Sequence, residues 1–96
     1  MTAERLVVRG RVQGVGYRYW ALAEARAAGL AGWVRNRLDG TVEVLAVGDA
    51  AALARFVERC RVGPPAARVT AVERQPVDPA NLGADERAGF RQLPTV

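Results

Sequence analysis

The chain of 96 residues contains no histidine, no serine and no lysine, and it has a single cysteine. Each absence removes a class of chemistry. Without histidine the commonest general base, a phosphohistidine intermediate and most zinc sites are excluded. Without serine there is no serine nucleophile. Without lysine there is no nucleotide P-loop, which needs a Gly-Lys pair. A lone Cys60 cannot close an internal disulfide, which suits a reducing cytosol. No apolar run approaches the ~20 residues of a membrane-spanning helix. The opening Met1-Thr2-Ala3-Glu4-Arg5-Leu6 also lacks the apolar segment of a secretory signal. A cytoplasmic protein with no membrane partner is expected. Acidic residues are scattered, with Asp85-Glu86 the one adjacent pair, so no metal site and no cofactor are expected.

What remains is 50% hydrophobic and 25% charged, enough apolar material for the core of one domain spanning residues 1–96. The net charge is +4, and every basic residue is arginine. Residues 1–40 carry seven arginines against Glu4, Glu24 and Asp39, whereas residues 41–96 balance at seven of each sign. That asymmetry suits an anionic ligand served by the first half, and it equally suits an ordinary charged surface.

Periodicity divides the chain into elements. Residues 4–10 alternate, with Leu6 and Val8 on one face and Arg5, Val7 and Arg9 on the other, which predicts a half-buried strand. Residues 18–28 are alanine-rich and predict a helix that buries Ala21, Ala25, Ala28 and Leu22 and is capped by Gly29. Residues 32–37 and 41–47 predict two strands joined through Leu38-Asp39-Gly40, a hairpin signal. Asp49 can cap a second helix, whose Leu53, Phe56, Val57 and Cys60 share one face and which Gly63-Pro64-Pro65 ends. Cys60 is therefore read as packing. Residues 67–74 predict a fourth strand, 76–87 a polar loop, and 89–93 suit a short edge strand. The order is βαββαβ. It predicts an α+β, ferredoxin-like α/β sandwich: an antiparallel sheet of four strands, plus that edge strand, with two helices on one face.

Between the first strand and the first helix lies Arg11-Val12-Gln13-Gly14-Val15-Gly16-Tyr17-Arg18. Two glycines let successive backbone N–H groups turn into one concavity, and a helix start adds unpaired N–H groups and a positive dipole end. Arg18 stands where a cation is unfavourable for that dipole, which points to an anion beside both. The same residues also suit a plain turn followed by a solvated arginine. The Gly14-Val15-Gly16 pair lacks the third glycine of a dinucleotide fingerprint, since Tyr19 occupies that position.

The run from Val8 to Arg18, with its Val12-Gln13-Gly14-Val15 core, resembles the first signature of the acylphosphatase family. A second signature follows in Gly32-Trp33-Val34-Arg35-Asn36, then Gly40, Val42 and Gly48, and Gly63-Pro64-Pro65 with Ala67, Val69 and Val72-Glu73 resembles the stretch before the family's fourth strand. The likeness covers nearly the whole chain and implies the same fold. It implies hydrolysis of the carboxyl-phosphate bond of acyl phosphates to carboxylate and inorganic phosphate, without a metal or a covalent intermediate. By resemblance, Arg18 and the backbone N–H groups of Gly14, Val15, Gly16, Tyr17 and Arg18 bind the phosphate, and Asn36 positions the attacking water. Inorganic phosphate or sulfate would then be a site ligand, and a monomer is expected. Tyr17 departs from the family's usual phenylalanine, and its hydroxyl needs water or a partner.

Such a site needs no histidine. The leaving carboxylate, of acid pKa ~4 to 5, departs unprotonated, and a loose transition state does not require early deprotonation of water. The rival readings are a non-catalytic anion-binding module and an RNA-binding one. The second lacks the aromatic-rich RNA-binding stretch of its class, with aromatics at 6% of the chain, so no nucleic-acid partner is expected.

Overall fold

A computed structural model describes all residues, Met1–Val96. The alternating N-terminal segment forms β1 (Thr2–Arg11), and the alanine-rich segment forms α1 (Tyr17–Ala27). The hairpin is β2 (Ala31–Asn36) and β3 (Val42–Gly48), followed by α2 (Ala50–Val62) and β4 (Arg68–Val77). The polar loop is partly ordered into a 3-10 turn at Pro79–Asn81 and the one-turn helix α3 (Ala84–Arg87). Its chain then enters β5 (Phe90–Gln92). Asp49 caps α2 as expected, its carboxylate accepting from Ala52 N at 3.2 Å.

The sheet order is β4-β1-β3-β2-β5. Strands β1 to β4 pair antiparallel, but β5 runs parallel to β2, so the sheet is mixed rather than wholly antiparallel. The reason is covalent. β5 follows β4, which runs opposite to β2, so a strand that starts at the end of the sheet where β4 finishes must run along β2, and the segment after β4 is long enough to carry the chain across to that far edge. That segment carries α3 onto the open face of the sheet, where Trp33 Nε1 donates to Glu86 Oε2 at 3.0 Å.

Both α1 and α2 cover the other face. Leu6, Val8, Val34, Val42, Val44, Ala46 and Val72 from the strands pack with Ala21, Ala25, Leu53, Phe56, Val57 and Cys60 from the helices. Ala28, read from the sequence as buried, is exposed, because α1 ends at Ala27 and Ala28 is already its C-terminal cap. Tyr17 takes the buried position in its place, one turn before Ala21. On the open face Trp33 packs with Ala3, Leu45 and Val47, so it looks away from the side that holds Val34 and Asn36.

Glu43 is the buried carboxylate of that open face, with 3% of its side chain exposed. Arg5 Nε and Arg35 Nε both donate to it, the latter at 2.7 Å. Burial alone pushes its carboxyl up, but the hydrogen bonds from Arg35 and Arg5 outweigh that and hold it below the ordinary glutamate range. The pair of β2 and β3, which ends at Asn36, is thereby cross-linked from beneath.

Candidate active site

The loop from Val12 to Gly16 joins β1 to α1, and its two glycines both take positive φ, 72° at Gly14 and 83° at Gly16. A Cβ at either position would meet nothing within 4 Å, so glycine is required there by backbone conformation and not by space. Gly16 is the N-cap of α1, and being glycine it has no side chain to occupy the first N–H groups. The first backbone bond of the helix is Trp20 N to Gly16 O at 3.0 Å, and residues 14 to 19 donate to no backbone carbonyl. A serine or aspartate cap would have consumed one of these donors. The sequence instead leaves them together at the positive end of the helix dipole.

The first turn of α1 contains no acidic residue, and Arg18 is half-buried there, forming no ion pair with a carboxylate of the chain. Asn36 is the last residue of β2. Its side chain shares the helix-covered face with Val34, two residues earlier. Its Oδ1 is buried and has no hydrogen-bond partner. An orphaned buried oxygen costs about 1–3 kcal/mol, a cost with no structural return, as expected of a functional group.

Arg18, Asn36, Gly14, Gly16 and Tyr17 line one cleft of about 140 Å³, together with Val12, Tyr19 and Gln92. The sequence-predicted residues thus come together, and Val15 packs beside them on the core. Besides Val12, three further residues bear on the cleft that sequence reasoning did not assign. Gln13 Nε2 donates to the carbonyls of Arg37 at 2.7 Å and Thr41 at 2.9 Å, clamping the loop to the β2–β3 hairpin and so to Asn36. Its place inside the motif was the available signal. Tyr19, with 75% of its surface exposed, and Gln92 form part of the rim. Nothing local in the sequence marks Gln92, which reaches the cleft only through the parallel pairing of β5 with β2.

The hydroxyl of Tyr17 has a partner. It donates to the carbonyl of Cys60 at 2.6 Å, and Tyr17 is 1% exposed. That carbonyl lies in the last turn of α2, where it would ordinarily receive the N–H of residue 64. Residue 64 is proline and has none. The tyrosine therefore satisfies the one carbonyl that Pro64 strands, and it ties the anion loop to the end of α2. Burial raises the Tyr17 hydroxyl pKa far above its ordinary value and pushes the Cys60 thiol up to about 12, so both stay protonated at neutral pH. Tyr17→Phe leaves the Cys60 carbonyl buried and unpaired and is expected to lower stability by about 1–3 kcal/mol. Denaturant titration measures this, and an unchanged midpoint would show the bond to be dispensable.

A family model described as Acylphosphatase matches residues 4–91. The acylphosphatase of Nitrobacter hamburgensis is 61% identical over 94 residues, covering 96% of this chain and 94% of that one. Among solved structures, the acylphosphatase from Bacillus subtilis superposes with a TM-score of 0.87 at 41% identity, covering 97% of this chain and 99% of that chain. An acylphosphatase from Coxiella burnetii superposes with a TM-score of 0.86 at 30% identity, covering 96% and 92%. With the glycine loop, Arg18 and Asn36 facing one cleft at the head of α1, the chain belongs to the acylphosphatase family.

Proposed function

We propose that the protein hydrolyses acyl phosphates by direct attack of water on a phosphoryl group held by Arg18 and by the N–H groups of Gly14 to Arg18. Membership of the family supports the reaction. The observation that carries the mechanism is the run of undonated N–H groups beside an unpaired arginine in the cleft that also holds Asn36. A phosphoryl dianion placed there meets the positive end of α1, several N–H donors and a planar guanidinium able to grip two oxygens.

The water oxygen forms a bond to phosphorus as the bond from phosphorus to the acyl oxygen breaks. The bonding pair leaves with the carboxylate, and the protons of the water stay with the phosphate. Charge on the equatorial oxygens is steadied by the same donors through the loose transition state. Asn36 supplies the remaining requirement, a fixed place for the water in line with the leaving group. Since no group in this set is an acid or a base near neutral pH, the rate on acyl phosphates should be nearly flat around pH 7.

One chain supplies every group named, which supports a monomer acting as one domain over residues 1–96. A buried, protonated Cys60 suits a reducing cytoplasm. The decisive assay is phosphate release from benzoyl phosphate against p-nitrophenyl phosphate, with a chelator present. Benzoyl phosphate is expected to turn over, and the p-nitrophenyl ester, with its more basic leaving group, to turn over at least ~10²-fold more slowly, a difference of about 3 kcal/mol or more in barrier. Inorganic phosphate is expected to inhibit competitively. Loss of all activity with chelator, or a preference for the ester, would overturn the mechanism.

A further inference from the structure

We infer that Gln92 is a second carboxamide on the attacking water, complementary in hydrogen-bonding sense to Asn36. The inference deepens the proposed reaction and rests on it. Gln92 opposes Val34 in the parallel pairing of β5 with β2. Phe90, two residues before it, is buried in the core beneath the helices, so alternation along the strand puts Gln92 on the helix-covered face. Val34 is in the same core, and Asn36 shares its face. Because the two strands run in one direction, Gln92 lies diagonally one step before Asn36 on the same face and towards the same end of the sheet. Both line the cleft that contains Arg18 and the glycine loop.

The other two glutamines are engaged, Gln13 with the hairpin carbonyls and Gln75 as an acceptor from Arg5. The carboxamide of Gln92 is exposed and pairs with no group of the chain. The carboxamide oxygen of Asn36 is buried and unpartnered, and its amide nitrogen, which is not buried, is the end available to the cleft. That nitrogen can only donate. It can engage one lone pair of a water molecule and leave the second for phosphorus, but a single contact lets the water swivel. An acceptor for one of its O–H groups removes that freedom, and the Gln92 Oε1 is the acceptor next to it. Neither carboxamide takes a proton in the step. Their contribution is orientation, which is what a transition state of this kind needs from its nucleophile. The connection after β4 thereby acquires a role, since it delivers β5, and with it Gln92, to the cleft that holds Asn36.

The test is steady-state hydrolysis of benzoyl phosphate by Gln92→Leu, Asn36→Ala and the double variant, with inorganic phosphate as inhibitor and a thermal melt on each. Gln92→Leu is expected to lower kcat about tenfold, the scale of one hydrogen bond, with KM and the phosphate inhibition constant within about twofold of wild type. If both amides hold the same water, the double variant should be scarcely slower than Asn36→Ala alone. An unchanged kcat in Gln92→Leu, a double variant whose loss is the product of the two, or an inhibition constant raised in step with kcat would each overturn the role. Absence of hydrolysis by the wild type would overturn the underlying reaction as well, whereas an active wild type with an indifferent Gln92→Leu overturns this inference alone.

Discussion

Arg18→Gln is expected to lower kcat/KM for benzoyl phosphate by about 10²- to 10⁴-fold. The range follows from losing two charge-assisted hydrogen bonds at ~1.5–3 kcal/mol each. Both parameters should move, because in the proposed mechanism the guanidinium touches phosphoryl oxygens in the bound substrate and holds them still as charge shifts. The inhibition constant for inorganic phosphate should rise together with KM. Fold stability should hardly change, since Arg18 has no carboxylate partner in the chain and sits in a first turn with no acidic residue. Removing a cation from the positive end of α1 would, if anything, stabilise the helix. Arg18→Lys keeps the charge but not the planar fork, and it should recover only a small part of the lost rate. A glutamine variant that binds phosphate as tightly as wild type would show that the backbone donors alone form the cradle.

Asn36→Ala is expected to behave differently. Its kcat should fall by roughly 10²-fold or more, the scale of losing one preorganised hydrogen-bonding group. The phosphate inhibition constant should stay close to that of wild type, because the proposed role of Asn36 is on the water and not on the phosphoryl group. Its effect on stability separates a functional amide from a structural one. The Oδ1 of Asn36 is buried without a partner, so truncation removes an unsatisfied acceptor and should leave the melting temperature unchanged or higher. A variant that melts lower and loses phosphate affinity would mark Asn36 as a strand-end brace. One that keeps the wild-type kcat would remove it from the mechanism. Set beside Arg18→Gln, the two variants should split cleanly, one raising the inhibition constant and the other sparing it.

The loop was legible because its requirements are local. Gly14 and Gly16 take positive φ, and a glycine N-cap has no side chain to take up the first N–H groups, so the spacing suits an anion as well as a plain turn, and the family resemblance favoured the anion. The alternation in β1 and the stripe of Leu53, Phe56, Val57 and Cys60 are equally local records of which face is covered. The Tyr17 hydroxyl is an intermediate case. That it needed water or a partner could be read from the residue type, but the partner depends on Pro64 lacking an N–H some forty residues away and on α2 ending against the loop.

What the sequence by itself determined is the βαββαβ order and most of the helix-covered core, because side-chain periodicity is a property of neighbouring residues; the roles proposed for Arg18 and Asn36 came from the family resemblance. Only the tertiary structure decided the direction of β5, the clamp from Gln13 to the Arg37 and Thr41 carbonyls and the arrival of Gln92 in the cleft that holds Asn36. Those outcomes depend on which distant edge offers unpaired backbone groups once the core has closed, and no window of adjacent residues contains that information.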